Sequence, residues 1–460
     1  MEAVIILIFV LGYLTITVEH PLKLDKTVPA LIMASVMWGL LAVGFHQGWF
    51  SIVNGEGEVF NFIAGGEEAV EGFENTMLHH FGKTSEILIF LIGAMTIVEI
   101  IDLHHGFDVI KSLVKTTNRR KLLWIIGVIG FFLSAVIDNL TATIVLITIL
   151  RKLVHKNSDR IWYASLIIIA TNAGGAWSPI GDVTTTMLWI ADKVTTLGLI
   201  DNIIAPALVC FAVPYTIATF HPDFKGNVDV DVNESIEKKT ILSSRTMLIV
   251  GIGGILSVPF TKTFLHLPPY LGMMLALGVV WLVSEYIHPE EDFSEERKHL
   301  YSAPEALSRI EFSSILFFLG ILMAVAALES MVYGVIEGET VGTLRYLAEV
   351  LQNTFPSQDY VIIALGFVSA VVDNVPLVAA SMGMYDMSVY PTDSFLWHFI
   401  AYSAGTGGSM LIIGSAAGVA AMGMEKIDFI WYLKNITWLA LLGFLSGAGV
   451  FLIIEHVIRA

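Results

Sequence analysis

Long apolar segments alternate with shorter polar segments along the whole chain. Because a bilayer core requires about 20 apolar residues per helix, the apolar segments are candidate transmembrane helices: residues 3–17, 28–46, 86–103, 202–220, 246–260, 270–287, 312–335 and 436–454. Three longer apolar tracts, 122–150, 161–190 and 360–424, contain polar or glycine-rich interruptions. The pattern predicts an all-α polytopic membrane protein in the lipid bilayer.

Composition supports this prediction and excludes several other classes. Of 460 residues, 55% are hydrophobic and 15% are charged. The net charge of −17 is concentrated in polar segments, and we interpret the acidic residues within 47–85 as a solvated loop. No basic stripe with interleaved aromatics indicates a nucleic-acid partner. Cys210 is the single cysteine, which excludes intrachain disulfides and cysteine-based metal clusters, and we expect no cofactor. We expect the apolar N-terminus, which lacks a basic n-region, to be a retained helix.

The first interrupted tract is flanked by two basic loops, residues 104–121 and 151–160. Lysine and arginine in short loops mark the cytoplasmic side, so a single helix over 122–150 would place one loop on the wrong side. A re-entrant hairpin resolves this conflict. Its limbs, about 122–134 and 140–150, would each be about 16 to 20 Å long at 1.5 Å per residue.

The tract 360–385 predicts a second hairpin that enters from the opposite side. Between Arg345 and Lys426 the chain has no lysine or arginine, so its flanks have no cytoplasmic signal. Its interruption, "SAVVDN" from Ser369, differs from "SAVIDN", which begins at Ser134, by one exchange of valine for isoleucine.

These hairpins belong to an internal repeat. "FLIGAM" from Phe90 matches "FFLGIL" from Phe317, "NAGGAWSPIGD" from Asn172 matches "GTGGSMLIIGS" from Gly405, and the offsets lie between 227 and 235 residues. We predict two inverted repeats, each with a re-entrant hairpin and a broken helix, and about ten full spans plus the hairpins. The expected domains are 1–220, a cytoplasmic linker and connecting helix at 221–269, and 270–460. Many secondary transporters share this architecture.

The broken helices are expected within 161–190 and 395–424. Gly174 and Gly175 permit unwound backbone, and Pro179 removes a hydrogen-bond donor. Asp182 then begins the second half-helix, either as an N-cap or as an ion ligand, and the two roles are compatible. In the second repeat Ser415 stands at the matching position, so the predicted site is asymmetric in charge.

The interruptions supply oxygen ligands, which hard cations prefer, and contain no arginine, lysine or histidine. A small cation therefore fits better than an anion. Carboxylates deep in a membrane are costly and usually functional, and a shared site could hold either a cation or protons, each expelling the other. The predicted polar centre comprises Asp138, Asn139, Thr141, Asp182, Ser369, Asp373 and Asn374, with hydroxyls of Ser134, Thr406 and Ser409 nearby.

Less specific interpretations remain open for some of these residues. Asp138 and Asp373 could simply cap the half-helices of their hairpins. His79 and Glu86 lie where the acidic segment meets an apolar one, so they could be solvated surface residues or contribute to pH sensing.

The motifs "SAVIDNLTAT", "TNAGGAWSPIGDVTTTMLW", "SAVVDNVPLVAA" and "AGTGGSMLIIGSAAGVAAMG" resemble those of NhaD-type sodium/proton antiporters of the ion transporter superfamily. The resemblance implies exchange of Na⁺ or Li⁺ for H⁺ across a bacterial inner membrane, pH homeostasis in alkaline medium, a homodimer and an elevator motion. It implies ion ligation by residues matching Asp138, Asn139, Thr141, Asp182, Thr184, Thr185, Ser369 and Asn374, and it links His79 and Glu86 to activity. We assign proton coupling to Asp138, Asp182 and Asp373, and include Asp373 among the ligands.

Three alternatives remain. A carrier of a small anion, such as a dicarboxylate, citrate or arsenite, could use the same fold, although the aspartates would repel it. An intramembrane aspartyl protease is disfavoured because Pro179 stands where its motif requires glycine. A channel would differ by its larger currents. We therefore expect a secondary antiporter and not an enzyme.

Overall fold

The computed structural model describes residues 2–18, 22–55, 57–111, 114, 116–228, 242–287, 302–336, 338–355 and 357–458. Much of the predicted cytoplasmic linker, residues 229–241, lies outside the described residues. The described chain is mostly helical, with two small antiparallel strand pairs.

The first half of the chain contains nine α-helices among the described residues, followed by a short 3-10 helix at Pro222–Phe224. They are α1 (Glu2–Thr17), α2 (Thr27–His46), α3 (Phe62–Leu103), α4 (Asp108–Lys111), α5 (Arg119–Ile137), α6 (Asn139–Leu153), α7 (Asn157–Gly175), α8 (Val183–Ile190) and α9 (Thr196–Thr219). Strands β1 (Ile52–Val53) and β2 (Val59–Phe60) pair between α2 and α3.

The described part of the second half has a similar series. Its helices are α10 (Leu242–Leu265), α11 (Pro269–Tyr286), α12 (Ala303–Arg309), α13 (Phe312–Ser330), α14 (Thr343–Thr354), α15 (Gln358–Ser369), α16 (Asn374–Met384), α17 (Phe395–Gly407), α18 (Ala416–Glu425), α19 (Phe429–Asn435) and α20 (Thr437–Ile453). Strands β3 (Val332–Ile336) and β4 (Glu339–Gly342) pair after α13.

Seven of the described helices are long and apolar enough to cross a membrane. They include α2, α5, α9, α11 and α13, together with segments of α10 and of the C-terminal helix. Three shorter helices, α1, α15 and α16, are also apolar. The chain is therefore a polytopic membrane protein, as its hydropathy predicts.

The interpretation of residues 47–85 as a loop is wrong, because α3 begins at Phe62. The acidic side chains at Glu67, Glu71 and Glu74 are exposed, while Ala69 and Phe73 are buried. This spacing gives an amphipathic helix with one solvated acidic face. The acidic residues are solvated as expected, but on a helix.

Two further expectations need correction. The expected span 312–335 is too long, because residues 332–335 form strand β3 instead of continuing the helix. The first limb of the expected hairpin is also longer than 122–134, since α5 covers Arg119–Ile137. At 1.5 Å per residue, the 19 residues of α5 span about 28 Å, whereas the expected limb is only about 16 to 20 Å long.

The chain divides into two compact units. The first contains Met1–Leu88, Glu311–Ala364 and Val375–Thr392. In it α2 packs against α13, and the Trp38 indole donates a hydrogen bond of 2.8 Å to the Met323 carbonyl. The two strand pairs meet through a bridge between Ile52 and Met331.

The second unit contains Ile89–Ile310, Leu365–Asn374 and Asp393–Ala460. Its core is formed by α5, α6, α7, α9, α17, α18 and α20. Glycines allow close packing there, since a Cβ on Gly443 would lie 2.5 Å from the Cys210 carbonyl oxygen of α9. The polar interruptions described below all lie in this unit.

Candidate functional site

Asp138 separates α5 from α6 and lies at the first polar interruption. Its backbone has φ 68° and ψ 159°, a region that is essentially restricted to glycine and costs other residues on the order of 1–3 kcal/mol. Its carboxylate accepts hydrogen bonds from the Thr141 amide at 2.9 Å and the Thr141 hydroxyl at 2.8 Å. Asp138 therefore caps α6, as the interpretation of this residue as a simple helix cap predicts. A cap alone, however, does not require this backbone conformation.

Asp182 lies between the two halves of the first broken helix and is 2% exposed. The helix ends at Gly175 and resumes at Val183, as the glycines and Pro179 predict. One carboxylate oxygen accepts from the Thr184 amide at 2.8 Å and from the Thr184 hydroxyl at 2.6 Å. Asp182 is thus the N-cap of α8, and its other oxygen is available to further groups.

Two asparagine amides reach the Asp182 carboxylate. Asn139, the first residue of α6, donates to its Oδ2 at 2.5 Å. Asn374, the first residue of α16, lies 3.3 Å from both oxygens. The two "DN" sequences therefore bring their asparagines to one buried carboxylate.

Asn172 extends this network and was not among the residues predicted for the site. Its carbonyl oxygen accepts from Asn139 at 3.1 Å, and its amide donates to Ser409 at 2.9 Å and Ser415 at 3.0 Å. It is completely buried. Its position next to the Gly174–Gly175 pair was the available sequence signal, because polar side chains at a helix break in an apolar tract need internal partners.

The same kinds of contact join α5 to α7 in the first half of the chain and α15 to α17 in the second half. Ser134 donates to the Thr171 carbonyl at 2.6 Å, and Ser369 donates to the Ala404 carbonyl at 2.8 Å. A Cβ on Gly174 would lie 2.1 Å from the Phe131 carbonyl oxygen, and one on Gly407 would lie 2.3 Å from that of Gly366. Each glycine therefore permits direct contact between helix backbones.

The other two predicted carboxylates are less enclosed. Asp138 and Asp373 are half-buried, and each interacts electrostatically with Asp182. Within the described residues, no group of three or more histidine, cysteine, aspartate or glutamate side chains is close enough to hold a metal ion. The groups around Asp182 whose oxygen atoms could bind a cation are therefore mainly amides and hydroxyls.

The remaining predicted hydroxyls point to backbone carbonyls. Thr185 donates to the Ser178 carbonyl at 2.7 Å and to that of Asp182 at 2.9 Å, and Thr406 donates to the Tyr402 carbonyl at 2.6 Å. These bonds stabilise the broken segments. A hydroxyl that donates to a carbonyl still has lone pairs to offer.

His79 and Glu86 lie in the part of α3 that belongs to the first compact unit. His79 is exposed and Glu86 is half-buried. The His79 ring makes an edge contact with His80 at a centroid distance of 5.9 Å. The structure does not bring either residue into the hydrogen-bond network of Asp182 that is described above.

A polytopic helical protein with a broken helix and a buried carboxylate at the break has the architecture of a secondary transporter. The family described as citrate transporters matches residues 6–400 of the chain, and the chain belongs to this transporter family. Among curated proteins it is 39% identical to sodium/proton antiporter 1 of Arabidopsis thaliana, over 98% of this chain and 72% of that protein.

Two further relatives are similar over nearly their whole length. Sodium/proton antiporter 2 of Arabidopsis thaliana is 38% identical over 98% of this chain and 99% of that protein. The Na(+)/H(+) antiporter NhaD of Vibrio cholerae is 29% identical over 98% of this chain and 91% of that protein. The resemblance to NhaD-type antiporters that the motifs predict is confirmed.

Proposed function

We propose that this protein is a secondary antiporter that exchanges Na⁺ or Li⁺ for H⁺ across the membrane. The observation that carries the proposal is the Asp182 carboxylate, which is 2% exposed and accepts amide hydrogen bonds from Asn139 and Asn374. A buried charge needs a compensating partner, and a small cation or a proton can be that partner. The names of the relatives agree with sodium and protons as the substrates.

The exchange follows from competition for the same oxygens. With a cation bound, the carboxylates of Asp138, Asp182 and Asp373 supply negative charge, and neutral oxygen ligands complete the coordination. When the cation leaves, protons neutralise the carboxylates and allow the site to change its exposure. The proposed neutral ligands are Asn139, Thr141, Thr184, Thr185, Ser369 and Asn374, with Ser134, Thr406 and Ser409 in supporting positions.

A small anion such as a dicarboxylate, citrate or arsenite is the second candidate, because the matched family is described as citrate transporters. An anion needs donors or positive charge. In the described network, the partners of Asp182 and Asn172 are asparagine, threonine and serine. Three nearby aspartates would repel an anion, so the cation is the better substrate.

The finer features of the transporter also belong to this proposal. Two kinds of contact recur in both halves of the chain: Ser134 and Ser369 each donate to a backbone carbonyl, and Gly174 and Gly407 each lie against a helix backbone. This recurrence supports two inverted repeats with re-entrant hairpins. We further propose a homodimer in a bacterial inner membrane, an elevator motion that alternates the exposure of the site, and a part for His79 and Glu86 in activity.

The test is sodium- or lithium-induced dissipation of a pH gradient in everted membrane vesicles. We expect Asp138→Asn and Asp182→Asn to abolish exchange, because each substitution keeps the shape of the side chain but removes its charge. Asp223→Asn, at a half-exposed side chain that lies 3.1 Å from the His221 ring, is the matched control and should exchange normally. Normal exchange by both site variants would refute the assignment, and a gradient dissipated by citrate would favour the anion carrier.

A further inference from the structure

A second buried polar cluster lies in the same compact unit, away from the Asp182 network. Glu425, the last residue of α18, has a side chain that is 0% exposed. Its Oε1 is 2.7 Å from Arg151 Nε, and its Oε2 is 2.9 Å from Arg160 Nε. The Asn157 amide adds a hydrogen bond of 3.3 Å. Both oxygens are thus held by groups from another part of the chain.

The partners of Glu425 belong to the two helices that carry Asn139 and Asn172. Arg151 is in the last turn of α6, which begins at Asn139. Arg160 is near the start of α7, which carries Asn172 close to its end. Since α18 itself begins just after Ser415, each of the three helices runs from the Asp182 network to Glu425.

The three helices also have matching lengths between the two clusters. At 1.5 Å per residue, Asn139 and Arg151 are about 18 Å apart along α6, and Arg160 and Asn172 are about 18 Å apart along α7. Ser415 and Glu425 are about 15 Å apart along α18. Both α6 and α7 pack against α18. The helices are therefore joined at both ends, at one end by neutral hydrogen bonds and at the other by an ion cluster.

We infer that Glu425 is a positioning residue, which fixes α6, α7 and α18 against one another so that Asn139, Asn172 and Ser415 meet at the cation site. A neutral hydrogen bond tolerates small displacements poorly, because its strength falls steeply with angle and distance. A buried carboxylate held by two guanidinium groups resists displacement, since separating them leaves charge without a partner. The inference rests on the proposed function, because it assigns Glu425 a role at the cation site. The placement of α6, α7 and α18 by Glu425 does not depend on which ion is transported.

The first readout is hydrogen–deuterium exchange of the purified protein, which requires no transport. In Glu425→Gln we expect amide exchange to accelerate about tenfold at the N-terminal turns of α6 and α18, because local opening there becomes easier. Exchange in α9 should not change. Faster exchange confined to residues 150–161 and 420–428 would overturn the inference, since the cluster would then stabilise only its own surroundings.

The second readout separates positioning from general stability. We expect Glu425→Gln to raise the half-saturating Na⁺ concentration about tenfold, as expected for one lost buried hydrogen bond, with a smaller change in maximal rate. In an Asn172→Ala background, Glu425→Gln should not change the half-saturating Na⁺ concentration further. Both substitutions disturb the same helix contacts between Glu425 and the cation site, so their effects should not add. Fully additive effects, or a lower maximal rate alone, would overturn the inference.

Two variants control these measurements. Glu305→Gln removes an exposed ion pair with Arg309 in α12 and should leave both readouts unchanged. If Glu425→Gln fails to accumulate, Arg151→Lys retains the charge at a half-exposed position, and a smaller change in the same direction is expected. If the native protein shows no sodium-dependent exchange, the proposed function fails, while the deuterium measurement still decides the role of Glu425.

Discussion

Asp182 and Ser415 occupy the same place in the two broken helices, and their difference determines where the charge lies. Asp182 caps α8 through Thr184, and the Ser415 hydroxyl caps α18 by accepting from the Gly418 amide at 3.2 Å. A helix N-terminus favours negative charge, so α8 stabilises its carboxylate. The uncharged Ser415 instead accepts from Asn172. One cap therefore supplies charge and the other orients the amide between them.

A different aspartate, Asp393, stabilises a turn outside the membrane-spanning helices. Its carboxylate accepts from the Thr195 amide and hydroxyl, both at 2.7 Å, and from His398 at 3.1 Å. Partial burial alone would raise the pKa of Asp393, but the hydrogen bonds from His398 and Thr195 outweigh it and lower the pKa to about 2. The folded state therefore favours the charged carboxylate.

We predict that Asp393→Asn destabilises the protein at neutral pH by about 1 kcal/mol after allowance for solvent screening. A lowered pKa contributes stability above the unfolded value of about 4, and this contribution is lost as the pH falls towards 2. Thermal unfolding in detergent should show a difference between native protein and variant at pH 7 that shrinks below about pH 4. A difference that is independent of pH would contradict this role of the carboxylate.

At the residue scale, the sequence predicts the site where polar residues interrupt apolar tracts. Asp138, Asn139 and Asp182 were found this way, since carboxylates and amides in an apolar tract are costly. The partners of Glu425 were not, because more than 260 residues separate it from Arg151 and Arg160. Such pairing depends on tertiary packing, which local periodicity does not encode.

At the element scale, prediction succeeds where length and hydropathy decide the structure. Helices such as α2 and α20 follow from uninterrupted apolar runs. The first part of α3 was missed because its acidic composition suggested a loop, although its 3.6-residue periodicity favours a helix. Strands β1 and β2 were missed because two residues each carry too little pattern.

Close backbone contact of α5 with α7, and of α15 with α17, leads to a prediction about two glycines. Gly174→Ala and Gly407→Ala would each place a Cβ within 2.3 Å of a backbone carbonyl oxygen, which cannot rotate away as a side chain could. We expect each to destabilise the protein by about 1–3 kcal/mol, as overpacking does, and to reduce exchange. Thermal unfolding and vesicle assays measure the two effects.

Gly253 provides the matched control for these substitutions. It lies within α10, and nothing lies within 4 Å of the position that its Cβ would occupy. Gly253→Ala should therefore be neutral or slightly stabilising, because alanine favours a helix more than glycine does. Equal behaviour of all three variants would show that close approach at Gly174 and Gly407 has no effect on stability.

At the scale of the whole molecule, matching serine and glycine contacts recur in the two halves of the chain, whereas the charges at the two helix breaks differ. The paired serine and glycine contacts support a duplicated architecture, which the motif spacing alone predicts. The division of the chain into two compact units could not be predicted, because each unit combines segments from both halves. Interleaving of this kind depends on packing between distant segments, whereas the spacing of motifs reports only their order.

Competition between a cation and protons at one site makes a prediction for the intact transporter. At low pH, protons occupy most of the sites that hold no cation, and Na⁺ must displace them. For each proton displaced, the half-saturating Na⁺ concentration rises about tenfold when the pH falls by one unit. Measured in proteoliposomes at equal pH on both sides, half-saturation should therefore fall as the pH rises and approach a limit in alkaline medium. Asp223→Asn should follow the native curve. A half-saturation that does not depend on pH would exclude a shared site, since sodium and protons would then bind to separate groups.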